Sequence, residues 1–143
     1  MSTNIPLSTG EKTSIIGNLA TMLTAGIPIL DALTSMEEDE KGRVRTLLTQ
    51  VKSDLQQGKH LWDSFSRFPR AFDTVTVNLL RAAEEGGTLT TSLADVRDYI
   101  RRDAEFVDKV KFAFLYPVII VLVFLSVFLM ILTVGVPKIA LVF

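Results

Sequence analysis

The sequence predicts an all-α protein, an antiparallel bundle of about six helices whose last helix continues into a transmembrane helix. Two observations carry this prediction. Apolar residues recur every three or four positions through the first 111 residues, and no segment there alternates as a strand does. Residues 112–137 then contain no charged side chain, and about 20 apolar residues are enough to cross a bilayer. We therefore divide the chain into an N-terminal tail (1–8), a helical domain (9–111), a transmembrane helix (112–137) and a short far-side tail (138–143).

Capping residues and glycines set the boundaries of the first two helices. Ser8 and Glu11 have the spacing of a capping box. Gly26 and Pro28 favour the end of one helix and the start of the next, which places the second helix at about residues 29–36. The apolar face of the first helix consists of Ile15, Ile16, Leu19, Met22 and Leu23.

The acidic residues Glu37, Glu38, Asp39 and Glu40 are expected to form a solvated turn after the second helix. They are also candidates for partner binding, because an acidic patch attracts a basic protein and raises the association rate. The alternative is that these side chains only keep the turn soluble.

Four further helices follow from the apolar spacing and from glycine or proline at their ends. The third ends at Gly58 and has the stripe Val44, Leu47, Leu48, Val51 and Leu55. The fourth is short, is stopped by Pro69 and carries Leu61, Trp62, Phe65 and Phe68. The fifth runs from about Asp73 to Gly86 and Gly87. The sixth has the seam Leu89, Leu93, Val96, Ile100, Val107, Val110 and Phe114.

One spacing recurs in three places. A glycine is followed by an aliphatic residue after three positions, a small residue after six and a large apolar residue after seven, beginning at Gly26, Gly58 and Gly86. A helix stop, a tight turn and a new helix start explain this spacing, so we interpret it as a shared helical-hairpin pattern and not as proof of duplication.

Composition and charge exclude several functions. A net charge of −1 provides no basic field to gather nucleic acid, and the absence of cysteine excludes disulfides, thiolate metal sites and a cysteine nucleophile. The first residues contain no apolar run, so the apolar segment is expected to be a retained anchor and not a secretory signal. Arg101, Arg102, Lys109 and Lys111 precede that segment whereas only Lys138 follows it, which predicts a cytoplasmic N-terminal domain.

Several motifs, in this order and spacing, resemble the F-type inner-membrane platform proteins of type II secretion and type IV pilus assembly systems. They are LATMLTAGIPILDAL at 19–33, Gly58 with Leu61, Phe68-Pro69 with Phe72, AAEEGGTL at 82–89, Lys109 with Lys111, Tyr116-Pro117, Val136-Pro137-Lys138 and Phe143. Ala83 stands where the family commonly has glycine, and Gly86 where serine or threonine is common.

The resemblance implies a polytopic protein of the inner membrane, of which this chain corresponds to the first cytoplasmic domain and the first span. It implies a non-enzymatic platform that couples a hexameric cytoplasmic ATPase to pilin or pseudopilin subunits. The implied partners also include other inner-membrane assembly proteins, membrane lipid and further copies of the same chain. The alternative function is a membrane-tethered helical adaptor or signalling bundle unrelated to pili.

The residues themselves provide no catalytic site. The only Gly-Lys pair, Gly58-Lys59, is followed by His60 and not by serine or threonine, so no phosphate-binding loop is present. His60 is the only histidine, and at a helix start it is more often structural or solvated than a general base. Gly86-Gly87 before a helix favours a helix stop with Thr88 as N-cap over an anion site.

Three further features remain as hypotheses. No cofactor is predicted, and Glu84 and Asp95 are only weak candidates for a hard cation such as calcium. The aromatic residues Trp62, Phe65, Phe68 and Phe72 are either core or a docking patch, with core favoured. Pro117 is the hinge candidate, because proline bends a helix and this one lies where the bundle meets the span.

Overall fold

The computed structural model describes residues 4–142, and no strand occurs among them, so the all-α prediction is confirmed. The predicted bundle corresponds to six helices, of which the sixth continues far into the apolar segment. Residues 1–3 of the predicted tail, and Phe143, lie outside the described residues. The elements in chain order are α1 (Thr9–Thr24), α2 (Ile29–Asp39), α3 (Gly42–Gln56), α4 (Leu61–Ser66), α5 (Thr74–Glu85), α6 (Leu89–Met130), a π-helical turn (Ile131–Gly135) and α7 (Val136–Val142).

The predicted capping box begins α1. The Ser8 hydroxyl accepts a hydrogen bond from the Glu11 backbone N–H at 3.2 Å, and the Glu11 carboxylate accepts from the Ser8 N–H at 2.7 Å. The backbone hydrogen bond from Ser8 lowers the pKa of Glu11. Two otherwise unpaired N–H groups at the helix start are thereby satisfied, which fixes where α1 begins.

Glycine in the left-handed region ends three of the helices. Gly26 and Gly58 have φ values of 84° and 81°, as the recurring spacing predicts. In the third instance α5 ends at Gly86 and Gly87 as predicted, but the two glycines differ in conformation. Gly86 is still right-handed at φ −79°, and the left-handed residue is Gly87 at φ 69°. The turn before α6 is therefore one residue shorter than the other two.

The structure corrects the prediction for the acidic stretch after α2. The expected turn at 37–40 is mostly helix, because α2 continues to Asp39 and only Glu40 and Lys41 separate it from α3. Glu37 explains the extension, since its carboxylate accepts hydrogen bonds from Lys52 and Thr49 of α3. These contacts between two helices compensate for the poor match of an acidic side chain to a helix C-terminus.

The helical bundle forms one compact unit that extends to Ala104. Each helix packs on the next one in sequence from α1 to α5, and the first part of α6 completes the core. The Arg97 side chain of α6 lies over Gly17 of α1, where a Cβ atom would be 3.0 Å from the Arg97 Cδ. Ile5 and Leu7 of the predicted tail are buried in the same core. The largest fully buried side chains are Phe65, Phe72, Ile15, Ile16, Leu19, Leu33, Leu47, Leu48, Leu61, Leu80, Leu93 and Val51.

A second unit begins at Glu105 and consists of the rest of α6, the π-helical turn and α7. Of the residues that the structure describes, one helical stretch, Leu89–Val142, is long and apolar enough to cross a membrane, and none of its most apolar window (mean hydropathy 3.1) is buried. The predicted seam of α6 is buried at Leu93, Val96 and Ile100 but exposed at Val107 and Val110. The first part of α6 therefore completes the bundle core, and the later part of its apolar seam is exposed.

Candidate functional site

The acidic end of α2, proposed from sequence for partner binding, places its four carboxylates in different surroundings. Glu37 is held by the hydrogen bond from Lys52 and by a second bond from Thr49 at 2.7 Å, and the Lys52 bond is the largest cause of its lowered pKa. Glu38 and Asp39 are exposed, and Glu40 is half-buried. No basic residue occupies the last turn of α2, so the exposed Glu38 and Asp39 meet the negative end of the helix dipole without a basic side chain in the same helical turn.

Glu84, a metal candidate from sequence, has a structural task. Its carboxylate oxygens accept hydrogen bonds from the backbone N–H groups of Leu61 at 3.1 Å and Trp62 at 3.2 Å. The ring Nδ1 of His60, which lies at the N-cap of α4, is 3.1 Å from the same carboxylate. Glu84 thus caps the short helix α4 from the neighbouring helix α5, and His60 is engaged there at the surface.

The aromatic side chains of α4 and the following turn are core, which confirms the favoured interpretation for three of the four. Phe65, Phe68 and Phe72 are buried, and the rings of Phe65 and Phe72 have centroids 4.5 Å apart. Phe68 lies beyond the end of α4, in the turn, and not within the predicted helix. Trp62 is only half-buried and carries the Arg81 guanidinium 4.7 Å from its ring centroid. This cation–π contact also ties α4 to α5.

Asp95, the other metal candidate, lies at a cleft between α5 and the first part of α6. The cleft has a volume of about 450 Å³ and is lined by Leu79, Ala82, Ala83, Thr88, Ser92, Asp95, Val96 and Tyr99. Among the described residues, no group of three or more His, Cys, Asp or Glu side chains could hold a metal ion. The structure thus gives Glu84 and Asp95 separate surroundings, and calcium binding stays a weak hypothesis from sequence.

Thr88 directly precedes α6, the position expected for an N-cap. Its hydroxyl donates to the Ala83 carbonyl at 3.4 Å and accepts from the Ser92 hydroxyl at 3.1 Å. The Thr88 backbone N–H also donates to the Ala83 carbonyl, at 2.8 Å. These hydrogen bonds of Thr88 connect the last turns of α5, at Ala83, to the first turn of α6, at Ser92.

Asp54, which is 1% exposed, is a buried acid that the sequence patterns above do not single out. Its carboxylate accepts hydrogen bonds from Lys59 at 2.8 Å, Ser64 at 3.0 Å, Arg67 at 2.9 and 3.0 Å and Gln50 at 3.3 Å. Burial raises the pKa of Asp54, but the hydrogen bonds from Lys59, Ser64 and Arg67 outweigh burial and leave it lowered. We call these five residues the Asp54 cluster; it joins α3 to α4.

A signal for Asp54 exists in the sequence. It follows Leu47 and Val51 at helical spacing, so it occupies the apolar face of α3, where an ionised side chain is costly without partners. Its main donors, Lys59, Ser64 and Arg67, follow within a short stretch of chain. The pattern predicts a partnered acid at this position, although it does not identify which of the nearby donors are used.

Pro117, the hinge candidate, lies inside α6, which continues through it. Proline has no backbone N–H, so the carbonyl four residues earlier, that of Ala113, receives no helical hydrogen bond from this position. Further along, the π-helical turn contains Thr133, whose hydroxyl donates to the Leu129 carbonyl at 2.9 Å and the Met130 carbonyl at 3.3 Å. The apolar segment thus has two local departures from regular α-helix.

Proteins of type II secretion and type IV pilus assembly match most of this chain. The family model for type II secretion system (T2SS) protein F matches residues 15–137. Type II secretion system protein F of Aeromonas hydrophila is 35% identical over 133 residues, which cover 92% of this chain and 34% of that protein. Type IV pilus assembly protein PilC of Thermus thermophilus is 34% identical over 123 residues, which cover 85% of this chain and 30% of that protein.

A third relative gives the same picture. Type II secretion system protein F of Vibrio cholerae is 31% identical over 134 residues, covering 93% of this chain and 33% of that protein. The chain spans about a third of the length of these relatives. The family match, residues 15–137, includes most of the helical bundle and the apolar segment.

Proposed function

Because the chain belongs to the type II secretion system protein F family, we propose that it serves as an inner-membrane platform on which a pilus or pseudopilus is assembled. The observation that carries the proposal is the extent of the family match, which runs from within α1 to within α7. The names of the relatives support a role in secretion or pilus assembly. This chain covers only about a third of each relative's length. The role of the full-length relatives is therefore extended to it here as a proposal.

In this proposal the helical bundle lies in the cytoplasm and the apolar segment crosses the inner membrane. The basic residues Arg101, Arg102, Lys109 and Lys111 on the bundle side, against Lys138 on the other, support this orientation. The exposed apolar surface from Phe112 onward is of the kind that lipid covers.

We infer that the chain transmits work and performs no chemistry of its own. The proposed energy source is a hexameric cytoplasmic ATPase, and the proposed recipients are pilin or pseudopilin subunits in the membrane. The polar groups of the bundle support this role. The Asp54 cluster and the Glu84 carboxylate both join neighbouring helices, and such contacts keep a bundle rigid under load.

The acidic end of α2 is the docking surface we propose for a basic partner within that machine. Glu38 and Asp39 are exposed at the negative end of a helix dipole, an arrangement that costs stability and that a cationic partner would relieve. Glu37 is already paired with Lys52, so its role is to fix the end of the helix. Natural sequences accept such local costs most often at functional positions.

Crosslinking in cells at native expression, followed by mass spectrometry without a preselected partner, tests the platform proposal. Recovery of an assembly ATPase and of pilin-like subunits is the expected result. Recovery of the chain alone, or of unrelated receptors, would favour the membrane-tethered adaptor instead. The double variant Glu38→Gln/Asp39→Asn should reduce crosslinking to one of these partners, whereas the control Asp31→Asn at the other end of α2 should not.

A further inference from the structure

An unpartnered apolar stripe lies on the outer side of α5. Among the described residues up to Ala104, three large apolar side chains are exposed: Ile27, Val75 and Leu79. Val75 and Leu79 are four residues apart on α5, and exposed Ala82 follows three residues later, so these residues share one helical face. The buried residues of the same helix are Thr76, Leu80 and Ala83, so Val75 and Leu79 lie outside its buried face.

This stripe leads into the cleft between α5 and α6. Leu79 and Ala82 line the cleft from α5, and Val96 and Tyr99 line it from α6. Val96 is buried and Tyr99 is half-buried, so the cleft has an apolar floor. We call the surface formed by Val75, Leu79, Ala82, Asp95, Val96 and Tyr99 the α5–α6 face. It joins an open apolar stripe to a concave site, which is the shape that receives an amphipathic helix.

The charge in the lining of this cleft is negative. Exposed Asp95 belongs to the lining, and no lining residue that the structure describes there is basic. Asp73 and Asp103, both exposed, lie close enough to Tyr99 to act on its phenol: burial, Asp73 and Asp103 together raise the pKa of that group. A partner at the α5–α6 face therefore meets apolar side chains in the centre and carboxylates beside them.

We propose that the α5–α6 face binds a cationic amphipathic helix of a partner protein. The apolar side chains of that helix occupy the cleft and cover Val75 and Leu79, and its lysine or arginine side chains pair with Asp95 and the neighbouring carboxylates. This surface is separate from the acidic end of α2, and the inference does not depend on the assignment to a secretion or pilus machine.

Two other occupants fit less well. An anionic lipid surface presents phosphate groups, which Asp73, Asp95 and Asp103 would repel. A second copy docked symmetrically through the same face would bring identical carboxylates together across the interface. A cationic helix satisfies both the apolar and the acidic parts of the surface.

A titration on the full chain tests the proposal. The chain has no cysteine, so Asn78→Cys provides a single attachment point for an environment-sensitive fluorophore on α5, next to the α5–α6 face. The labelled chain is placed in phosphatidylcholine nanodiscs. The probe is a synthetic peptide of about five helical turns with leucine on one face and lysine on the other. The control peptide carries glutamate in place of lysine.

Matched variants distinguish binding at the α5–α6 face from non-specific binding of the peptide. Two variants change the α5–α6 face: Leu79→Ser and Asp95→Asn. Their controls, Ile27→Ser and Asp31→Asn, make the same kinds of change at exposed positions elsewhere. Ile27 and Leu79 are both 39% exposed. We expect saturable binding of the lysine peptide, weakened about fivefold or more by each of the first two variants and unchanged by the controls.

Three results would overturn the proposal. They are a fluorescence change that does not saturate, equal binding of the glutamate peptide, and equal affinities for the Leu79→Ser and Ile27→Ser chains. Because all four substituted side chains are at the surface, circular dichroism should show the same helix content for every chain, and a variant that lost helix would be replaced by Leu79→Gln or Asp95→Ser at the same positions.

Discussion

Replacing Asp54 with asparagine removes the charge from the polar cluster that joins α3 to α4. The Asp54 carboxylate accepts hydrogen bonds from the side chains of Gln50, Lys59, Ser64 and Arg67. Asparagine has nearly the same shape, but its NH2 group would face a donor where the carboxylate oxygen accepts. At least one donor therefore loses its acceptor, and a lysine or arginine charge loses its counter-charge.

The magnitude follows from the burial of the partners. Ser64 is fully buried, and leaving its hydroxyl without an acceptor costs about 1–3 kcal/mol. The side chains of Lys59 and Arg67 are 36% and 42% exposed, so water compensates for most of what they lose, and each contributes about 0–1 kcal/mol. We expect Asp54→Asn to lower the free energy of unfolding by about 1–5 kcal/mol in total, with Ser64 as the largest part.

Urea denaturation of the full chain in detergent micelles measures this loss. Trp62 is the only tryptophan and lies in α4 beside the cluster, so its fluorescence reports the relevant part of the fold. Asp63→Asn is the control, an acid in the same short helix that is not part of the cluster, and it should cost less than about 1 kcal/mol. Equal losses for the two variants would refute the reasoning.

The pH dependence gives an independent check. The folded state holds the pKa of Asp54 below its usual 3.8, so its contribution to stability is complete above that value and is lost as pH falls through the lower folded value. The difference between the natural chain and Asp54→Asn should therefore be constant near neutral pH and shrink in acid. A difference that grows on acidification would contradict the assigned role.

Three other changes have expected outcomes of their own. Glu84→Gln should lower the free energy of unfolding by about 1–2 kcal/mol in the same urea titration, because one α4 N–H loses its acceptor, whereas Glu85→Gln breaks only an exposed ion pair and should cost less than about 0.5 kcal/mol. Gly58→Ala forces a side chain to φ 81° and should cost about 1–2 kcal/mol, whereas Gly10→Ala in α1 should not destabilise the fold; equal effects would argue against the left-handed turn. Pro117→Ala should reduce pilus or pseudopilus assembly while thermal unfolding and membrane insertion stay unchanged, and unaltered assembly would count against a hinge.

Much of the bundle could be predicted because its determinants are local. The capping box at Ser8 and Glu11 and the left-handed glycines at 26 and 58 act within a few residues, and each lies where the pattern indicates. The apolar stripes also identified the core, since a helix can bury only one face against its neighbours. Local rules were sufficient wherever a helix end or face depended on adjacent residues.

The remaining features depend on contacts between distant residues. Helix α2 continues to Asp39 because Glu37 meets Lys52 of α3, and the sequence around α2 contains no sign of that partner. Glu84 resembles a free carboxylate until α5 brings it to the N–H groups that begin α4. The exposure of Val75 and Leu79 could not be predicted either. Apolar periodicity identifies a helical face, but it does not show whether that face meets the core or solvent.

The π-helical turn at Ile131–Gly135 changes how any scan of the apolar segment should be interpreted. A π-helical turn contains about one residue more than an α-helical turn, and one residue corresponds to about 100° of rotation around the helix axis. Residues before and after the turn that a regular wheel would align therefore face different directions. In a tryptophan scan across the segment, the sensitive positions should follow one phase up to Met130 and a rotated phase from Val136 onward. If neighbouring helices pack on both halves, they contact two distinct edges of the same span.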